Sequence, residues 1–164
     1  MQWRDGKQIE IALEHAFNDI LASRMRDVPV VNPALSVRAI GFERFGGDWL
    51  GVLITPWFMN LLLLPGPECS WIEFPPGSKI ERAFPYGSFE FTLADEARLG
   101  VYALSSLFSP MFEFRDQDAA VATAEAVLRH LFELDRPTTT TPPRPSISRR
   151  DLLRGSFSDK DHQT

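Results

Sequence analysis

The side chains of this 164-residue sequence that could do acid–base, nucleophilic or metal chemistry are few: His15, His130, His162, Cys69, and the helical pair Glu10 and Glu14. A zinc or iron–sulfur site needs several sulfur or imidazole ligands at short spacing, and no histidine here has a second histidine or cysteine at ligand distance. No metal ligand and no resident cofactor is therefore assigned. A catalytic histidine needs a positioned partner, and none is identifiable for His15 or His130, so both read as helical histidines at a core margin or solvent face. Cys69 lies between Glu68 and Ser70, where a neighbouring carboxylate raises a thiol pKa, so it reads as an inert thiol. Glu10 and Glu14 share one helix face and read as a solvated face rather than as paired acids. The glycines at 41, 46, 47 and 51 lack the spacing and the lysine of a phosphate loop, and no nucleophile elbow is present. No catalytic residue is assigned.

The elements that would carry these residues follow from pattern. Ile9, Leu13, Ala16, Phe17, Ile20 and Leu21 recur at helical spacing over Lys7–Met25, with Asp5 placed to cap and Pro29 and Pro33 to stop the helix near Arg26. Val37–Phe45 and Trp49–Thr55 read as strands joined by a Gly46-Gly47-Asp48 turn, the second apolar on both faces and hence central. Pro56 interrupts the ladder, and Met59–Leu64 resumes it. The four prolines of Pro65–Pro76 predict an irregular loop with Trp71 and Phe74 against the body. Phe89, Phe91 and Leu93 alternate with Ser88, Glu90 and Thr92 in a half-exposed strand. Arg98–Phe108 is assigned to a short helix weakened by Gly100. Asp116 or Asp118 caps a last helix through Leu134, with a stripe of Ala120, Ala124, Val127, Leu128, Leu131 and Phe132. The fold class is α+β: a single domain, 1–135, with an antiparallel sheet packed by an N-terminal and a C-terminal helix. Residues 136–164 are too rich in proline, threonine and charge to pack, and read as a linker and a disordered basic tail.

Charge divides the chain. Met1–Asp135 carries 11 Lys and Arg against 19 Asp and Glu, or −8, whereas Arg136–Thr164 carries 6 against 3, or +3. An acidic body repels nucleic acid and suits a partner with a basic segment. One cysteine fits a reducing compartment. The first residues lack the apolar core of a secretory signal, and the longest apolar run, Trp57–Leu64 interrupted by Asn60, falls short of the roughly 20 residues of a membrane span. A soluble, cytoplasmic protein is expected.

Against that bland chemistry one cluster stands out: Trp49 through Gly66, dense in large apolar residues and punctuated by Gly51, Pro56 and Pro65. Two core strands would explain it. A strand-breaking Pro56 followed by Trp57, Phe58 and Met59 would also push at least one bulky side chain out of the sheet, where aromatics and methionine make an adaptable peptide surface. The candidate partner-binding residues are Trp49, Pro56, Trp57, Phe58, Met59 and Asn60.

Asn32-Pro33-Ala34-Leu35, Gly41-Phe42 and above all the run from Trp49 to Pro65 resemble the HybE/HupJ family of [NiFe]-hydrogenase assembly chaperones, and the likeness extends over about Met1–Leu134. The resemblance implies a non-enzymatic accessory protein that binds a hydrogenase structural-subunit precursor, the small subunit with its twin-arginine signal, the large subunit, or both. It further implies proofreading that holds back export until cofactors are in place, with an acidic groove meeting the basic start of the signal. The alternative is a cofactor- or metal-carrying maturation factor, or an enzyme, acting on the metal site through His15, His130 or Cys69. In the tail, Ser148-Arg149-Arg150-Asp151-Leu152-Leu153-Arg154 is similar to a twin-arginine signal but lacks the apolar stretch that export needs, leaving an accidental basic motif or a mimic of the client.

Overall fold

The computed structural model describes residues 3–132. The apolar stripe predicted near the start folds as α1 (Gly6–Ser23), burying Ile9, Leu13, Ala16, Phe17 and Ile20, and Asp5 caps it by accepting from the Gln8 amide at 2.8 Å. The helix ends earlier than its spacing suggests. The amides of Arg24 and Met25 both return to the Ile20 carbonyl, which turns the chain out of the helix well before Pro29.

Strands β1 (Arg38–Phe45), β2 (Asp48–Thr55) and β3 (Phe58–Leu64) follow as two tight hairpins. Gly46 and Gly47 take φ of 56° and 92°, the left-handed pair that a two-residue turn between twisted strands requires. After a long loop come β4 (Lys79–Ala83), β5 (Ser88–Glu96), β6 (Gly100–Phe108) and α2 (Gln117–Leu131), the last capped by Asp116 accepting from Ala119. All neighbours are antiparallel in the order β1-β2-β3-β6-β5-β4. The architecture is the expected α+β single domain, a six-stranded antiparallel sheet with one helix on each face.

One expectation fails and one strand goes unforeseen. Arg98–Phe108 holds no helix, because Gly100–Leu104 pairs with β5 and Ala103–Phe108 with β3, and inter-strand packing overrides a short helical spacing. Lys79–Ala83, assigned to no element from the sequence, pairs with β5 as an edge strand, where charged residues belong. The domain boundary at 135 and the assignments to the tail, including Ser148–Arg154, lie outside the described residues.

The sheet separates two cores. Leu50, Val52, Ile54, Met59, Leu61 and Leu63 face α2, while Trp49, Leu53, Leu62 and Leu64 face α1. Strands β2 and β3 are apolar on both faces for this reason, and each fully buried leucine contributes about 2 kcal/mol. The α2 side also draws in Trp71, Phe84, Met111 and Phe114 from the loops. Of the two aromatics expected to tuck in from the long loop, Trp71 is buried and Phe74 is exposed.

Candidate functional site

Two buried polar side chains organise the loops at the ends of the central hairpins. At the Gly46-Gly47 end, Asp48 accepts from the Gly66 amide (2.9 Å) and the Trp71 indole Nε1 (3.0 Å) and pairs with Arg82 at 3.5 Å. One carboxylate thereby fixes the long loop and β4. Beside it the rings of Phe45 and Phe84 stack at 4.7 Å, and Phe132 meets both edge-on, which joins edge strand β1 to the far end of β4 across the α2 face.

At the opposite end Asn32 does the corresponding work. Its Nδ2 donates to the carbonyls of Met111 and Phe114, both at 3.0 Å, its Oδ1 accepts from the Ala34 amide, and its own amide donates to the Pro56 carbonyl at 2.9 Å. Three segments meet there: the loop after α1, the β2–β3 turn, and the loop before α2. Each presents apolar surface within two residues of the junction. Val30 is 39% exposed, Phe112 is 55% exposed, and Trp57 and Phe58 are half-buried. Trp57 and Phe58 meet edge-on, and Phe58 rests against Phe17 of α1 at 6.0 Å between ring centroids.

The β2–β3 connection differs from a strand break. Thr55 pairs with Phe58, and the Thr55 hydroxyl accepts from the amides of both Trp57 and Phe58. Pro56 therefore occupies a turn position where its missing N–H costs no ladder bond. Strand alternation resumes at once, so that Phe58 faces α1 and Met59 faces α2. The outward placement expected after Pro56 holds for Trp57 and Phe58 and is corrected for Met59. Met59 is completely buried, Pro56, Asn60 and Trp49 are buried, and only Trp57 and Phe58 of the six candidates reach solvent. Trp49 belongs to the α1-side core with Arg44 4.9 Å over its ring.

The acid–base candidates are scattered. His15 is exposed on α1, His130 is half-buried on α2 across the sheet, and His162 lies outside the described residues. Among the described residues no group of three or more His, Cys, Asp and Glu is placed to hold a metal. Burial, then the charge of Asp48, pushes the Cys69 thiol up, so the influential acid is Asp48 and not its neighbour Glu68. Glu10 and Glu14 are more than a solvated face. Their carboxylates accept from the amides of Phe42 (3.2 Å) and Ala39 (3.0 Å), satisfying the outward donors of edge strand β1. Nothing in sequence spacing marks that contact, because it depends on how α1 lies along β1.

One cleft of about 750 Å³ runs along β1 to Phe132, but it is mixed in charge, with Glu10, Glu43 and Glu125 against Arg38, Arg44 and Arg129. It is not the acidic groove that the resemblance implies. Among the described residues no helix is long and apolar enough to cross a membrane.

Fold and surface define a single-domain α+β protein with exposed or half-buried apolar residues on the three loops that Asn32 cross-links. The chain belongs to the family described as "[NiFe]-hydrogenase assembly, chaperone, HybE", whose model matches residues 8–155. It is 40% identical over 156 aligned residues to the hydrogenase expression/formation protein HupJ of Bradyrhizobium diazoefficiens, covering 90% of this chain and 88% of that protein. It is 47% identical, again over 156 residues, to protein HoxT of Cupriavidus necator, covering 87% and 86%. The solution structure of HybE from Escherichia coli superposes with a TM-score of 0.65 at 24% identity, covering 89% of this chain and 90% of that one, a likeness of fold.

Proposed function

We propose that this protein is a cytoplasmic assembly chaperone that binds an immature [NiFe]-hydrogenase subunit precursor and retains it until its cofactors are inserted, before twin-arginine export. The observation that supports the reading is the loop junction at Asn32, where Val30, Trp57, Phe58 and Phe112 offer apolar surface on a rigid frame. Preorganised loops bind with less ordering cost than flexible ones. In the three loops that carry these residues the acids Asp27, Glu113 and Asp116 are matched by the bases Arg24, Arg26 and Arg115, so charge there is balanced. Such a surface suits an apolar client segment, as the hydrophobic part of a twin-arginine signal is.

The test is a pull-down from hydrogenase-producing cells with the intact chain and with Phe112→Ser. Co-purification of a small-subunit precursor that retains its signal peptide, reduced at least about tenfold by Phe112→Ser at unchanged melting temperature, is the expected result. Recovery of the large subunit alone reassigns the client, and undiminished capture by Phe112→Ser moves the contact off the Asn32 junction.

A further inference from the structure

The two edges of the sheet are finished differently. On β1 the outward amides of Ala39 and Phe42 are occupied by Glu14 and Glu10. On β4 the pairing leaves the alternate residues open. Phe84 and Gly87 exchange both backbone bonds (2.9 and 3.0 Å), and stepping by two along the antiparallel ladder makes Arg82–Phe89 and Ile80–Phe91 the next bonded pairs. Lys79, Glu81 and Ala83 consequently turn their N–H and C=O groups away from β5, and all three residues are exposed.

A second observation concerns side chains. Glu81 stands directly opposite Glu90, on the sheet face that α1 leaves bare, and neither carboxylate has an ion-pair partner among the described residues. Like charges directly opposed across strands destabilise a sheet. The bases nearest in sequence are engaged: Lys79 Nζ donates to Thr92, and Arg82 pairs with Asp48 through Nη2 while its Nη1 donates to the Glu81 carbonyl. The Glu81 carbonyl accepts only this long bond, at 3.4 Å, so an acidic couple without an ion-pair partner stands beside outward backbone groups that a strand bringing its own cation could take up.

We propose that β4 is a docking edge for an extended peptide segment of a partner, which adds as a seventh, antiparallel strand with a lysine or arginine opposite Glu81. Main-chain bonds to Lys79, Glu81 and Ala83 give the affinity, and the cation beside Glu81 and Glu90 sets the register. On the other face the residues flanking that cation meet half-buried Ile80 and the Arg82 stem, so apolar side chains suit those positions. A second copy of the chain is a poor guest, because two-fold pairing of β4 about Glu81 brings the two Glu81 carboxylates together. The edge is separate from the Asn32 junction, and the inference stands whatever client that junction holds.

The probe is a capped heptapeptide, Thr-Thr-Val-Lys-Val-Thr-Thr, compared with the same peptide carrying Glu in place of Lys, added to the full chain while backbone amide exchange is followed by NMR. Slowed exchange at Lys79, Glu81 and Ala83 with the Lys peptide only is expected. Glu81→Lys should weaken the Lys peptide about tenfold and admit the Glu peptide, the exchange of one charge-assisted contact. Glu81→Pro removes an outward donor without touching a ladder bond and should abolish both. If that variant loses its native circular dichroism, the charge swap alone decides. No protection at millimolar peptide, protection elsewhere, or equal affinity for Glu81→Lys and the parent overturns the proposal.

Discussion

Asp48 and Asn32 sit at opposite ends of the same pair of hairpins and do comparable mechanical work with opposite results at the surface. The charged hub closes its end: Trp71, the Gly66 amide and Arg82 converge on it, and the aromatic rings of Phe45, Phe84 and Phe132 pack beside it. The neutral hub holds its end open. Its bonds run to backbone carbonyls, which leaves the neighbouring side chains Val30, Trp57 and Phe112 free to face outward. A buried amide can cross-link loops without drawing counter-charges over them, whereas a buried carboxylate must gather donors to offset its desolvation.

The comparison breaks most strongly at Asp48. Asp48→Ala strands a partly buried guanidinium and an indole N–H, and should cost about 3–5 kcal/mol in chemical denaturation. Asp48→Asn, which keeps acceptors for Gly66 and Trp71, should recover more than half of that loss. Met59→Ser is expected to cost about 3 kcal/mol, since it opens a cavity and buries a hydroxyl in the α2-side core. A melting temperature close to that of the parent would return Met59 to the surface. Asn32→Ala removes three side-chain bonds and should cost about 2 kcal/mol while weakening client capture beyond what the stability loss explains, because the three loops lose their common frame. Phe112→Ser should leave stability within about 0.5 kcal/mol and affect capture alone.

The smallest effect is electrostatic. Burial, then Glu96 and Asp95, pushes the Tyr102 hydroxyl up to about 12 from 10.0. The folded state thus keeps a proton that the unfolded chain releases, so this contribution is complete below pH 10 and is lost as pH rises toward 12. Tyr102→Phe should flatten the decline of stability across that window. An unchanged slope would show that Tyr102 ionises alike in both states.

Those contrasts also explain what the sequence could and could not disclose. Helices α1 and α2, their Asp5 and Asp116 caps, the Gly46-Gly47 turn and the alternating β5 were readable because each rests on local periodicity or a single residue's conformational preference. Strand β6 was misread because its apolar residues satisfy both a helical and a strand spacing, and only its two neighbours decide. Met59 was misplaced for want of one hydrogen-bonding detail, the Thr55 hydroxyl that makes Thr55-Pro56-Trp57-Phe58 a turn; threonine directly before proline was the available signal. Asp48 reads as a turn residue and Asn32 only as part of a family-like motif, since apart from Ala34 their partners lie between 18 and 82 positions away. The exposed Val30 and Phe112 likewise gave no local sign, because their role depends on loops that meet only in three dimensions.

Both helices, from opposite ends of the described chain, pack against the hairpin of β1 and β2, one on each side. During synthesis the first helix and the two hairpins leave the ribosome while one face of the sheet still lacks its cover, and the core on that face cannot be completed until residues near Leu131 have emerged. The loop that carries Phe112 lies just before this last helix. A nascent molecule therefore lacks its finished loop surface until α2 has emerged, and until then its leucine-rich strands stand bare on that face.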